Sequence, residues 1–545
     1  MAGESAAPRQ GPLVTPPEWR WVRIVAVVLL VLTVVPLVVA IAVEPAGTVF
    51  GGFVQEARDG VSYVARTTIG LQGHWLYHDP YTSEPHDGSL VYFPYILLGQ
   101  IDRLLHLPVP VLLNLARLVV GAAMLVAVYR LCADAFAAVG QRRLAFLLVV
   151  LGGGIGALTG SHADILGYHY VSLDVGVSGT VGLGVMTVGP HIALAALACA
   201  ALAIDLTRVE EDHGPLRLLA VLGWTLALAL AYPQMAGMWV LVALGYWLLR
   251  PRRGTLAAAL AMAVVAVPYA AYGLYLRGAN PIFAGWPPQA DIDVGDPLSY
   301  LLFAHLVMLP FAAVAGATAL RRLRAGDATI AVRVRALMAM WILVSTIVMY
   351  MPGLPTAAHR VFYGSFIPFG ILAADGLWRW AGAAASRAWR RRRLLYVATL
   401  MCLAGGQAIA DAVAIPALHR NDLALYFPAD EAAVLGTLRD VDPAGGRVVM
   451  NSYLSGLWVP ALSGDTTYIG FPFETLDLER KSSEVEVFYN LTDASEIRRV
   501  AAGLKVDYVL YGRYERGLSP TDPGARAGWP VLARSGDAVL YAVTR

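Results

Sequence analysis

The chain has 545 residues, 57% of them hydrophobic and only 15% charged, with a mean hydropathy of +0.59. A water-soluble protein would carry roughly a quarter charged residues, so a chain whose whole surface faces water is excluded. The net charge of +2 makes no electrostatic case for a nucleic-acid partner.

Residues 1–20 are polar, carry Pro8, Pro12, Pro16 and Pro17, and read as a disordered cytoplasmic tail. The apolar run that follows Arg20, Trp21 and Arg23 is too long for a signal-peptide core and lacks a small-residue cleavage site. It reads as a retained membrane helix. A bilayer crossing needs about 20 apolar residues. Such runs lie near 22–44, 107–131, 144–160, 186–206, 216–232, 235–249, 254–276, 299–320, 334–351, 361–381 and 394–416, which predicts about eleven spans. A turn is expected at Tyr232-Pro233-Gln234. The Gly152-Gly153-Gly154 triplet is expected to allow close helix packing within a span. Cys132, Cys199 and Cys402 sit in apolar runs without ligand spacing and read as packing residues.

Basic residues gather at Arg142-Arg143, Arg208, Arg250 to Arg253, Arg321 to Arg335 and Arg387 to Arg393. The positive-inside rule places these connections in the cytoplasm. The N-terminus is then inside, and 45–106, 161–185, 277–298, 351–360 and everything beyond about 417 are outside. Residues 89–101 are apolar but too short to cross, and are expected to be re-entrant or interfacial. Counting them as a span would put Arg130, Arg142 and Arg143 outside. The resulting division is a transmembrane part over 21–416, with an outer loop at 45–106, and an extracytoplasmic α/β domain over 417–545. In the latter, strand-like runs at 447–450, 508–511 and 538–543 alternate with helical stretches at 431–438 and 494–504, a pattern that predicts a partly parallel sheet.

The unusual polar residues lie in the outer loops. Glu56, Arg58, Asp59, Tyr63 and Arg66 follow the first span directly, and a helix there puts Asp59 and Tyr63 on one face. An aromatic, Pro-rich stretch comes next, from His74 through Asp79-Pro80-Tyr81-Thr82 to Tyr92-Phe93-Pro94-Tyr95. Carboxylates held at a membrane edge are functional candidates by default; the alternative is a solvated boundary. His359-Arg360 lies at the start of a later span. A second group comprises His162, Asp164, His169, Asp174 and His191, with no tight metal-ligand spacing. It reads either as an acceptor or metal site or as a polar cap. Tyr453, Trp458, Tyr468, Phe471, Phe473 and Glu474 form an aromatic group that could stack on sugar rings or pack a core.

The order of these features resembles the GT-C glycosyltransferases, multi-spanning enzymes that take a sugar from a polyprenyl-phosphate carrier at the outer membrane face. The likeness extends to uncharacterised bacterial members through Pro355 to Gly364, Ile367 to Gly376, Ser455 to Pro460, Tyr468 to Thr475 and Val506 to Gly512. It implies that Asp59, with Glu56 as second choice, is the base of an inverting transfer. It also implies that Arg360, His359, Arg58 and Arg66 contact the lipid phosphate, Arg360 alternatively anchoring its helix at the interface. Tyr63, His162, Asp164, His191 and Glu474 are weaker candidates for substrate or acceptor contact. The implied partners are membrane lipids, a polyprenyl-phosphate-sugar donor, and an envelope glycan, lipid or protein acceptor at the plasma (inner) membrane. No strict Asp-x-Asp stands in the first loop, Asp291-Ile292-Asp293 lying later, so no cofactor is certain and a divalent metal stays open. Two other classes fit the same composition: a lipid-linked glycan transporter or flippase, and a non-catalytic scaffold with an envelope-binding external domain.

Overall fold

The structure, a computed structural model, describes residues 14–154, 162–165, 168–171, 178–285, 304–350 and 360–544. They divide into two compact units. One comprises residues 1–33, 117–270 and 290–410; the other comprises 34–116, 271–289 and 411–545.

Among the described residues, six helices are long and apolar enough to cross a bilayer: Pro16–Ala42, Val109–Ala135, Pro190–Arg208, Arg253–Ala279, Ile330–Met349 and Arg387–Leu418. Five shorter helices, Val139–Leu151, Pro215–Ala231, Pro233–Leu249, Leu309–Arg324 and Phe366–Gly382, overlap other expected runs without reaching that length. Two expectations change. The first helix starts at Pro16, inside the expected tail, because Thr15 and Glu18 cap one another: Thr15 N–H donates to Glu18 Oε2 (3.0 Å) and Glu18 N–H to Thr15 Oγ1 (3.4 Å). The glycine triplet does not lie within a helix. Val139–Leu151 stops there, Gly152 is extended, and Gly153 N–H donates to Met401 O (3.0 Å). Three successive glycines give the helix no side chains to continue its packing.

Several arginines of the first unit form buried or partly buried ion pairs. Glu18 accepts from Arg142 and from the Tyr129 hydroxyl, each at 2.9 Å. Glu210 lies 2.7 Å from Arg250 and 3.4 Å from Arg333, and Asp375 lies 3.0 Å from Arg335. Asp134 pairs with Arg208 at 2.6 Å. The expected break between apolar helices falls at Tyr232, where Pro233 opens the next helix.

The second unit is built around the helix Ala57–Leu71 and a five-stranded mixed sheet. The sheet order is Thr466–Thr467, Val448–Met450, Tyr508–Tyr511, Ala538–Ala542, Val531–Ser535. The first three strands are parallel and the last two join antiparallel. Three of them match the strand-like runs read from sequence. Helices Ala429–Val441, Leu478–Asn490 and Ala494–Gly503 accompany the sheet, and its core includes Ile469, Phe488, Tyr489, Ile497 and Val509. Residues 89–101 fall largely in Phe93–Leu105, a helix of 13 residues. At 1.5 Å per residue it is about 20 Å long, short of the ~30 Å core of a bilayer. It packs on Ala57–Leu71 at backbone distance, where Gly70 and Gly99 face each other's chains.

Candidate active site

The chain enters Ala57–Leu71 through Glu56, whose φ of 49° is left-handed. That turn delivers Arg58 and Asp59 into the first helical turn. Glu56 and Arg58 are exposed and Asp59 is half-buried, whereas every residue from Gly60 to Gly70 is buried. Gly60 is required because a Cβ there would meet the Phe53 ring at 2.3 Å. Asp59 acts electrostatically on the buried phenols of Tyr81 and Tyr95, and Glu56 on Tyr95. Burial pushes the Tyr81 phenol well above its ordinary range, and the carboxylates of Glu474, Asp79 and Asp59 add to that while Arg66 opposes it. Arg58 is on a different side of the helix. It lines an open cleft with Tyr453, Leu454, Leu457, Phe471 and Pro472. Tyr63 shares a helical face with Asp59, but its ring is buried, stacked on Tyr95 at 4.7 Å.

Two turns further along, Arg66 is only 4% exposed and pairs with Glu474, Nη2 to Oε1, at 2.5 Å. The other Glu474 oxygen accepts from the Tyr77 hydroxyl at 2.7 Å, and Tyr92 OH donates to Oε1 at 3.1 Å. The Arg66 guanidinium also lies 3.6 Å from the Tyr92 ring centroid. Burial opposes the charge on Arg66, but the Glu474 carboxylate together with the Tyr92, Tyr77 and Tyr63 phenols outweighs it and holds the guanidinium charged. Burial, then the charges of Asp79 and Glu474, push the Tyr77 phenol well up, so it stays protonated and donates. Glu474 and Arg66 were each expected to meet substrate; the structure brings them to each other.

The loop between these elements is fastened at several points. Tyr77 and Ser89 exchange backbone hydrogen bonds at 2.8 and 2.9 Å. Thr467 N–H, at the sheet edge, donates to Pro80 O at 2.9 Å. Lys481, fully buried, reaches Glu84 at 2.7 Å and Ser83 at 3.2 Å. His86 Nε2 accepts from Asp79 N–H (2.7 Å) while Nδ1 lies 2.8 Å from Glu84 O, an arrangement that defines the neutral Nδ1–H tautomer. Sequence reasoning missed Tyr77, Tyr92 and Lys481. The dense aromatic run after His74 was the available signal for the first two.

The aromatic group of 453–473 splits by role. Trp458 stacks on Phe427 at 4.9 Å and donates to Leu423 O, and Tyr468 donates to Glu484; both are packing residues. Phe473 remains 43% exposed.

In the other unit, His191 Nε2 lies 3.1 Å from Tyr232 OH with the rings stacked at 5.1 Å. Arg360 opens the short turn that holds Tyr363. His162 and Asp164 fall in a two-stranded ladder, His162–Ile165 against Tyr168–Val171, where only the backbone is described. His359, Asp174, Asp291 and Asp293 lie outside the described residues. Among the described residues no three His, Cys, Asp or Glu side chains are grouped to hold a metal ion, and no step below runs through one.

The fold is similar to that of the Archaeoglobus fulgidus oligosaccharyltransferase tethered to an acceptor peptide containing the NVT sequon. That match covers 96% of this chain and 74% of that one, at a TM-score of 0.51 and 12% identity. It is also similar to AglB of the same organism in complex with an inhibitory peptide and a dolichol-phosphate (91% and 70% covered, TM-score 0.51, 11% identity). No protein-family model matches the sequence, and no curated protein does.

Proposed function

We propose that the protein is a membrane glycosyltransferase that moves a sugar from a polyprenyl-phosphate carrier to an envelope acceptor at the outer face of the plasma membrane. The observation that carries this reading is Asp59: a half-buried carboxylate in the first turn of a helix whose residues Gly60 to Gly70 are all buried, the next helix in the chain after the first membrane-length one. The fold supports it, since solved structures of that fold hold an acceptor peptide and a dolichol-phosphate.

The chemistry follows from what a hydroxyl acceptor requires. Asp59 takes the acceptor proton, and the oxygen attacks the anomeric carbon as the bond to the lipid phosphate breaks. The product has inverted configuration and the leaving group is polyprenyl phosphate. Its developing charge needs a cation, for which Arg58 is exposed enough to serve. Glu56 is the second candidate for the base. Arg66, neutralised by Glu474, holds the helix that carries Asp59 in place.

The test is turnover of radiolabelled polyprenyl-phosphate sugars with envelope acceptors by wild type, Asp59→Asn and Glu56→Gln. Asp59→Asn is expected to lose about 10²–10⁴-fold in kcat, the usual worth of a general base, with Glu56→Gln close to wild type. Undiminished turnover in Asp59→Asn would remove the base assignment.

A further inference from the structure

Two kinds of arginine occur in the first unit. Arg142, Arg208, Arg250, Arg333 and Arg335 each meet a carboxylate. Arg387, Arg390, Arg391, Arg392 and Arg393 instead crowd the start of helix Arg387–Met401, and among the described residues none of them is ion-paired. The nearest carboxylate along the chain, Asp375, is already shared by Arg335 (3.0 Å) and Arg379 (2.5 Å).

This placement works against the helix. A helix start carries partial positive charge and repels cations, and arginines one turn apart, such as Arg387 and Arg391, repel one another. Ser386 caps the helix by accepting from Trp389 N–H at 3.3 Å, but no acidic residue stands in the first turn. The contrast is with Arg321, Arg322 and Arg324. They lie in the last turn of Leu309–Arg324, where the dipole favours them, and Arg322 pairs with Asp327 at 2.5 Å. Nothing among the described residues neutralises the cluster at 387–393, so it calls for an anion from outside the chain.

Two further features define that anion. Tryptophans hold the guanidinium groups: Arg392 lies 5.6 Å from the Trp389 ring centroid, Arg390 4.8 Å from Trp378 and Arg393 4.8 Å from Trp380. Trp389 and Trp380 are themselves 57% and 42% exposed. A guanidinium stacked on a ring keeps its charge and its edge donors. The other feature is the strip that follows. Arg391 and Arg392 stand one turn before Leu395 and Tyr396, which are 64% and 68% exposed. One face therefore passes from unneutralised cations to bare apolar side chains, at the start of Arg387–Leu418, a helix long and apolar enough to cross a bilayer. That sequence of surfaces matches a charged lipid head followed by its acyl chain. Free phosphate or an acidic peptide would meet the cations and leave the apolar half uncovered.

We propose that Trp389, Arg391, Arg392, Leu395 and Tyr396 form a docking face for an anionic phospholipid. Its phosphate sits on the two guanidinium groups and its chain runs along Leu395 and Tyr396. The inference does not depend on the sugar-transfer reading.

The experiment counts bound lipid by native mass spectrometry on the full chain and follows its melting temperature in nanodiscs. The probes are phosphatidylglycerol and phosphatidylcholine. Wild type is expected to prefer phosphatidylglycerol by about tenfold or more. Each arginine near a lipid surface is worth about fivefold, so Arg391→Gln with Arg392→Gln should lose about 25-fold in phosphatidylglycerol affinity and leave phosphatidylcholine unchanged. In phosphatidylcholine alone this variant should melt no lower than wild type, because repulsion has been relieved; added phosphatidylglycerol should raise only the wild-type melting temperature. A variant that melts lower in both lipids would show that the arginines are structural and overturn the proposal. Trp389→Leu keeps every charge and should weaken phosphatidylglycerol about two- to fivefold; full affinity would remove the stacked site. Arg321→Gln with Arg324→Gln removes the same charge elsewhere and should change nothing. An equal loss there would reveal diffuse attraction and sink the docking face. Inorganic phosphate binding as tightly as phosphatidylglycerol would identify a free-ion site, and tighter binding of a polyglutamate peptide a protein-docking surface; either overturns the lipid assignment.

Discussion

Removing the charge from Glu474 would leave Arg66 as an unpaired cation with 4% of its surface exposed. Breaking one side of a buried ion pair costs about 3–5 kcal/mol, because the remaining charge has lost both water and partner. Glu474→Gln should therefore lower the stability of the second unit by about that amount, read as a fall in melting temperature in detergent. Gln keeps the shape and one acceptor oxygen, so Tyr77 and Tyr92 need not lose both of their hydrogen bonds. Replacing both partners with apolar residues, Arg66→Met with Glu474→Leu, should cost less than the single change, since no buried charge remains. A single variant as stable as wild type would mean that water reaches the pair. The consequence for function is indirect. Arg66 lies two turns from Asp59 on one helix, so loosening it should lower turnover through misplacement of the base.

The helices Ala57–Leu71 and Phe93–Leu105 owe their close approach to two glycines. A Cβ at Gly99 would lie 2.1 Å from Thr67 O, and one at Gly70 would lie 2.2 Å from Ile96 O. Both obstacles are backbone, which cannot swing aside, so Gly99→Ala should cost about 1–3 kcal/mol by forcing the helices apart. Gly273→Ala is the control. It sits in helix Arg253–Ala279 with nothing within 4 Å of the new carbon, and should be neutral or gain up to about 1 kcal/mol. Equal melting temperatures for the two variants would show that the crossing yields easily. This level of structure was partly legible. Apolar runs predict helices because lipid-facing segments must be apolar and of a set length, and the short run at 89–101 was recognised as too short. Pairings across the chain were not legible. Arg66 meets Glu474 across 408 residues, Thr48–Phe50 pairs with Tyr426–Pro428, and Lys481 reaches back to Glu84. Each partner carries only a local pattern, and nothing local specifies which distant residue it will meet. The proposal for Asp59 has the opposite basis: a carboxylate beside a long apolar run is conspicuous from its neighbours alone.

At the scale of the molecule, the two compact units should respond differently to pH, because the second keeps buried carboxyl groups that retain their protons near neutrality. Burial raises Glu431 from the ordinary glutamate range to about 8, and the neighbouring Glu515 carboxylate adds to it. Asp465 is raised to about 7, again chiefly by burial, with the Arg447 N–H opposing and Asp442 adding to the shift. Both pKa values are higher in the folded state, so the folded unit binds more protons than the unfolded chain once pH exceeds the unfolded values near 4. The stabilisation is complete below those values and is lost as pH rises through 7 to 8. Thermal unfolding of the full chain followed from pH 5 to 9 should show one transition moving steadily down in temperature. Two units need not melt together, so the transition must be assigned by a probe in the sheet-bearing segment, such as hydrogen exchange at Val448–Met450 and Tyr508–Tyr511. Glu431→Gln carries no charge to lose, and should flatten the slope between pH 6 and 9 while leaving the first unit's melting unchanged. A slope that survives in both Glu431→Gln and Asp465→Asn would assign the pH response to groups other than these two. A first unit that shifts in step with the second would show that the two melt as one cooperative body.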